Sequence, residues 1–240
     1  CLEKIIMGIK INNINKVYND LVIFNDFSLS VPEGKISCIL GPSGCGKTTL
    51  LNMIGGIVKQ DKGNINFSNK TNISYIFQEP RLLPWKTVKG NIEFVVKGLK
   101  NEKAPENIDQ YLKMVGLSKF KDYFPASLSG GMKQRVAIAR AFIYPSDLIL
   151  MDEPLKTLDP RLKLNLMKIF LRIWQYDKRT VLFVTHDVDE ALILGEEIFI
   201  FSKPPVEKKK QITNPLSFQE KRMDNTKFFE HKKQILDLLE

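Results

Sequence analysis

Gly41-Pro42-Ser43-Gly44-Cys45-Gly46-Lys47-Thr48-Thr49 satisfies the template G-x-x-x-x-G-K-[ST] at every fixed position. Ahead of it, Lys35-Ile36-Ser37-Cys38-Ile39-Leu40 alternates and then runs apolar, as a buried strand does. Behind it, Leu50, Leu51 and Ile54 recur at helical spacing. The glycines permit a tight loop whose backbone N–H groups turn inward, and the following helix directs its positive end at the same point. A polyphosphate fits such a cradle. Lys47 is expected to reach the β- and γ-phosphates, and the Thr48 hydroxyl to hold Mg²⁺.

The chain has 240 residues, enough for one large domain or two small ones, with 43% hydrophobic and 26% charged residues. That composition excludes a fibre or a disordered chain. The three cysteines, Cys1, Cys38 and Cys45, show no metal-ligand spacing and read as a reduced, cytosolic pattern. Cys45 lies inside an amide-lined, electropositive loop, where a thiolate and alkylation blocked by MgATP are expected. No apolar run approaches the roughly 18 residues a membrane helix needs, so work at a membrane would require a partner that holds the chain there. The net charge of +9 is spread along the sequence, and the dense run Lys208-Lys209-Lys210 reads as a solvated edge. Without an aromatic stacking array, nucleic acid is not an expected partner.

Residues 1–6 lack the features of a signal peptide, and Met7 is the expected start, with an upstream remnant before it. Residues 9–18 and 27–31 read as short alternating strands. Tyr18 sits on this layer, either stacking on a nucleotide base or packing at a sheet edge. After short strands at residues 65–67 and 73–77, Gln78-Glu79-Pro80-Arg81-Leu82-Leu83-Pro84-Trp85 holds two prolines and must be an ordered loop. Gln78 can donate to a water or coordinate Mg²⁺. Leu82, Leu83 and Trp85 are either a docking surface or buried. Residues 87–124 are mostly helical, broken by a charged turn over residues 100–106. Ser129-Gly130-Gly131 then opens a second helix whose amides and hydroxyl converge on an anion. Two such helix ends separated by a helical insert point to a dimer with shared sites.

The apolar strand at residues 148–151 ends in Asp152-Glu153. Asp152 is expected to anchor the Mg²⁺ shell, and Glu153 to orient and polarise the water attacking the γ-phosphorus. Asp159 can cap the helix after Leu158. The strand at residues 180–185 ends at His186, where a γ-phosphate would sit, whereas His231 reads as solvated. Residues 195–201 form the last strand of the core, paired with residues 206–212, and residues 228–239 an amphipathic helix. The fold class is α/β: a P-loop NTPase core with a mainly parallel sheet, an antiparallel β layer and a helical subdomain.

With the phosphate loop and Leu128-Ser129-Gly130-Gly131-Met132-Lys133-Gln134-Arg135 together, the chain resembles the ATP-binding cassette (ABC) ATPases from Met7 onward. The resemblance implies a single cassette over residues 7–240, with a helical subdomain at about residues 87–143. It implies ATP and Mg²⁺ as ligands, Tyr18 on adenine, and residues 41–49 around the phosphates. It further implies Gln78 as Q-loop, Ser129 to Gly131 as signature, Asp152 and Glu153 as Walker B pair, Asp159 in the D-loop and His186 as switch histidine. Two ATP molecules would lie between head-to-tail subunits, with Ser129 and Gly131 touching the ATP on the partner's Lys47. Residues 77–85 and Thr185-His186-Asp187-Val188-Asp189-Glu190-Ala191 resemble importer cassettes of the nitrate/sulfonate/taurine type. Such a cassette implies a separate permease, an extracytoplasmic solute-binding protein and a place at the cytoplasmic face of the membrane. Leu155-Lys156-Thr157 departs from the aromatic-small-Ala stretch usual there. A soluble ABC ATPase acting on nucleic acid or ribosomes, and the cassette of an exporter, are the alternatives.

Overall fold

The computed structural model of the chain describes residues 7–97, 99, 108–217, 220–221 and 223–239. The expected remnant at residues 1–6 and the charged turn at residues 100–106 lie outside the described residues. The elements run, in chain order, β1 (Met7–Tyr18), β2 (Leu21–Pro32), β3 (Ile36–Leu40), α1 (Lys47–Ile54), β4 (Lys62–Phe67), β5 (Ile73–Ile76), α2 (Val88–Val96), α3 (Ile108–Met114), α4 (Gly130–Ile143), β6 (Leu148–Asp152), α5 (Pro160–Tyr176), β7 (Thr180–Thr185), α6 (Val188–Leu194), β8 (Glu197–Phe201), β9 (Lys208–Thr213) and α7 (Thr226–Leu239). They form two compact units. The first holds the described residues up to Thr71, Leu150–Glu153 and those from Arg179 on; the second holds Asn72–Ile149 and Pro154–Lys178.

In the first unit β1 pairs antiparallel with β2 on one side and β4 on the other. Strict alternation would bury Ile9 and Ile11 but turn Ile14 outward. A register shift between Ile11 and Ile14, with Asn13 at φ 49° and Asp26 at φ 50°, brings Ile14 back to the buried face beside Phe27. The Asn13 side-chain amide donates to Asp26 Oδ1 at 2.7 Å, joining the two irregular residues.

The second sheet of this unit has the order β6-β7-β3-β8-β9. β3 is parallel to both β7 and β8, and all three are buried along their whole length, as strands covered on both faces must be. Leu40 lies opposite Thr185, so the chain leaves β3 and β7 at neighbouring points on one end of the sheet. Such strand ends are where ligands bind in open α/β sheets. β9 pairs with β8, as expected, and runs antiparallel to it; its exposed Lys208, Lys209 and Lys210 guard the edge against pairing with another strand.

In the second unit α4 is the buried centre, with α2, α3 and α5 against it. Phe142 of α4 meets Phe170 of α5 edge to face, at 5.5 Å between centroids. This unit is wider than the helical stretch expected at residues 87–143. β5 is tied into it, since the Ser74 hydroxyl donates to Ala141 O at 3.0 Å and Asn72 N–H donates to Asp147 Oδ2 at 2.8 Å. α5 joins it through an apolar face that includes Leu166, Phe170, Ile173 and Trp174.

Candidate active site

The loop after β3 follows from its glycines. Gly44 has φ 78° and Gly46 φ 91°, a left-handed region that side chains rarely adopt. Gly46 also meets a steric limit, because a Cβ there would lie 2.6 Å from Ile23 Cγ2. The loop is thus wedged against β2 before it turns into α1. Lys47, the first residue of α1, is buried, and its ammonium donates to Gly41 O and Pro42 O, both at 2.8 Å. One lysine cation therefore sits across the loop, beside the helix end whose first N–H groups have no intrahelical partner.

Beside it, β6 delivers two carboxylates. The Thr48 hydroxyl donates to Asp152 Oδ1 at 2.9 Å. Glu153, one residue beyond the strand, has φ 42°, in the left-handed region. Holding a non-glycine residue there costs about 1–3 kcal/mol. The strand end is pinned by Glu153 N–H donating to Val184 O at 3.1 Å. Its carboxylate Oε2 lies 3.1 Å from His186 Nδ1. With Glu153 ionised, its carboxylate only accepts, and the ring proton facing it sits on Nδ1. Lys47, Thr48, Asp152, Glu153 and His186 all lie in the first unit, where Thr48 pairs with Asp152 and Glu153 with His186.

Tyr18 is exposed at the tip of the β1–β2 hairpin, opposite Leu21, with Lys16 Nζ 5.1 Å from its ring centroid. It does not pack under the sheet edge, and its hairpin is the one whose Ile23 abuts Gly46. Cys45 corrects an expectation. It is only 1% exposed, and burial pushes its thiol up from the ordinary value, outweighing the lowering effect of Lys47. A thiolate is disfavoured there. In the native protein, iodoacetamide at pH 7.5 should therefore modify Cys45 at about one-tenth of the free-thiol rate or less, read by peptide mass spectrometry. Labelling at the free rate would show that the loop opens readily.

The remaining expected residues lie in the second unit. Gln78 is exposed just beyond β5. Ser129 caps α4, its hydroxyl accepting from Met132 N–H at 3.3 Å. Gly130 is exposed, while a Cβ on Gly131 would touch Leu162 at 3.5 Å. Asp159 caps α5, with Oδ1 accepting from Arg161 and Leu162 N–H at 3.1 and 3.0 Å. Trp85 is 70% exposed, and Leu82 and Leu83 are half-buried. His231 makes an exposed contact with Gln234.

Two residues that shape this loop escaped the reading of the sequence. Asn91, fully buried on α2, accepts from Leu83 N–H and donates to the carbonyls of Leu83, Lys86 and Thr87. Arg140 of α4 donates to Pro80 O and Arg81 O, both at 3.0 Å. The available signal was polarity on an otherwise apolar helix face: Asn91 beside Val88 and Ile92, and Arg140 amid the alanines of α4.

A glycine-rich loop, a Thr–Asp pair and a Glu–His pair thus gather at the end of one mainly parallel sheet. The family model described as ABC transporter matches residues 24–156. The chain belongs to the ABC transporter family. It is 36% identical to an uncharacterized ABC transporter ATP-binding protein of Methanocaldococcus jannaschii, over 99% of this chain and 93% of that one. It is 34% identical to the aliphatic sulfonates import ATP-binding protein SsuB of Bacillus cereus, over 98% of this chain and 96% of that one. Among solved structures it is similar to a dimeric ATP-binding cassette in a post-hydrolysis state bound to ADP and Pi. That match has a TM-score of 0.70 and 30% identity, and covers 83% of this chain and 98% of the other. As an ABC cassette, the chain binds ATP and is an ATPase.

Proposed function

We propose that the chain is the ATP-hydrolysing subunit of an importer for a small solute of the nitrate/sulfonate/taurine or vitamin-precursor type. It works at the cytoplasmic face of the cell membrane as one of two cassettes bound to a separate permease, with an extracytoplasmic solute-binding protein supplying the solute. The observation that carries the hydrolytic half is the divergence of neighbouring carboxylates, Asp152 to Thr48 and Glu153 to His186. The importer half is supported by the likeness to SsuB.

In this reading Lys47 and the N–H groups of residues 44–49 hold the β- and γ-phosphates, and Tyr18 stacks on adenine. Thr48 and Asp152 present hard oxygen donors side by side, which suits Mg²⁺ held partly by substrate phosphates. The Gln78 amide oxygen would be a further donor for that ion. Mg²⁺, when bound, neutralises charge on the β- and γ-phosphates. Glu153 polarises the attacking water, and His186, fixed against it, faces the γ-phosphate. Ser129, Gly130, Gly131 and Asp159 complete the site of a second copy, an arrangement supported by the dimeric state of the similar solved cassette.

Among the described residues no helix is long and apolar enough to cross a membrane, so attachment falls to another chain. Purification from the native host in mild detergent should recover the chain with a protein of several membrane-spanning helices. Recovery with ribosomes or nucleic acid instead would overturn the importer reading.

A further inference from the structure

α6 opens with a closed ring of hydrogen bonds around one peptide. Asp187 Oδ1 accepts from Asp189 N–H at 2.9 Å and Glu190 N–H at 3.4 Å, as an N-cap does. The Thr185 hydroxyl accepts from Asp187 N–H at 3.0 Å and donates to Glu190 Oε2 at 2.7 Å. The last is a short, well-formed O–H···O bond. Thr185 and Glu190 are both buried, at 1% and 2% exposure.

Capping α6 needs only the backbone N–H of Glu190, and filling its space needs only an apolar side chain. A buried carboxylate is costly unless it is well paired, so the acid calls for another explanation. Its charge is felt in the sheet, where burial and then Glu190 push the Cys38 thiol up. Its hydrogen-bond partner, Thr185, precedes His186, and the peptide N–H that Thr185 grips follows His186. The backbone is therefore clamped on both sides of a histidine whose own side chain is 41% exposed and 3.1 Å from Glu153. We propose that Glu190, acting through the Thr185 hydroxyl, is a positioning residue for His186. Without the clamp, the peptide at residue 186 can turn and carry the imidazole away from Glu153 and from a γ-phosphate. The catalytic consequence rests on the role given to His186 and Glu153 above.

The test uses the full chain with MgATP. Glu190→Ala and Thr185→Val should each lower kcat about 10- to 100-fold, with KM for ATP changed by less than about twofold. Glu190→Gln, which keeps an acceptor oxygen, should restore most of the rate. Added to His186→Ala, Glu190→Ala should cause no further loss. The chain has 2 histidines, so a ring ¹H–¹³C spectrum resolves His186 from His231 without crowding. Thr185→Val, nearly isosteric and able to fold, should move or broaden the His186 signal and leave His231 in place. An unmoved His186 signal, or an equal loss from Glu190→Ala with and without His186, would overturn the proposal. Should His186→Ala hydrolyse ATP at the wild-type rate, the role of His186 falls, and the spectrum still decides whether Glu190 positions it.

Discussion

Glu153→Gln should bind MgATP with wild-type affinity and hydrolyse it at about one-hundredth of the wild-type rate or less. The substitution preserves shape and leaves an oxygen that can accept from His186 Nδ1, so the 3.1 Å contact can persist. It removes the negative charge that polarises water, a contribution of about 10²- to 10⁴-fold for a general base. Binding depends on other atoms, the Lys47 ammonium and the loop amides. With MgATP present the variant should elute as a dimer, since hydrolysis no longer releases the pair. Single-turnover measurement with labelled ATP and size-exclusion chromatography read the two effects separately. Turnover near the wild-type rate would remove Glu153 from the role of base.

Ser129→Arg should abolish turnover while the dilute monomer binds ATP as the wild type does. Ser129 is exposed, and its one described structural task is the cap on α4. Losing such a cap costs about 1 kcal/mol, too little to unfold a domain of 5–15 kcal/mol stability. A large loss of activity would then come from the arginine blocking the surface that meets the second copy's nucleotide. In the unaltered chain, turnover per molecule should rise with protein concentration and level off as dimers form. If ATP affinity of the dilute variant fell in step with turnover, Ser129 would be acting in its own copy's site, and the shared-site reading would fail.

The parts legible in the sequence were those fixed by spacing or by continuous burial. The glycine-lysine-threonine run needs its fixed residues in place, and Leu148 to Met151 and Val181 to Val184 are short, continuous apolar runs of the kind a covered sheet buries. The Asp152–Glu153 pair was visible as two neighbouring carboxylates at a strand end, but not the left-handed backbone of Glu153. The Cys45 expectation failed because two effects of opposite sign compete at the thiol, and their balance depends on burial that a motif does not encode. Asn91, Arg140, Thr185 and Glu190 were illegible for a related reason. Asn91, Arg140 and Thr185 act on stretches of backbone, and Glu190 acts through Thr185, whereas a sequence names side chains without naming the carbonyl or N–H they grip. The extent of the second unit was equally hidden, because β5 joins it through Asp147 and Ala141, about 70 residues downstream.

The left-handed geometry of Glu153 also bears on how this chain would respond to being made more heat-resistant. At φ 42° a glycine escapes the steric penalty, and the about 1–2 kcal/mol relieved there exceeds glycine's entropic cost of about 0.5–1 kcal/mol. A screen scoring only melting temperature would therefore favour glycine at position 153 and return a sturdier, inert protein. Stability and turnover pull this residue in opposite directions, so laboratory evolution toward thermostability must carry an activity gate at every round.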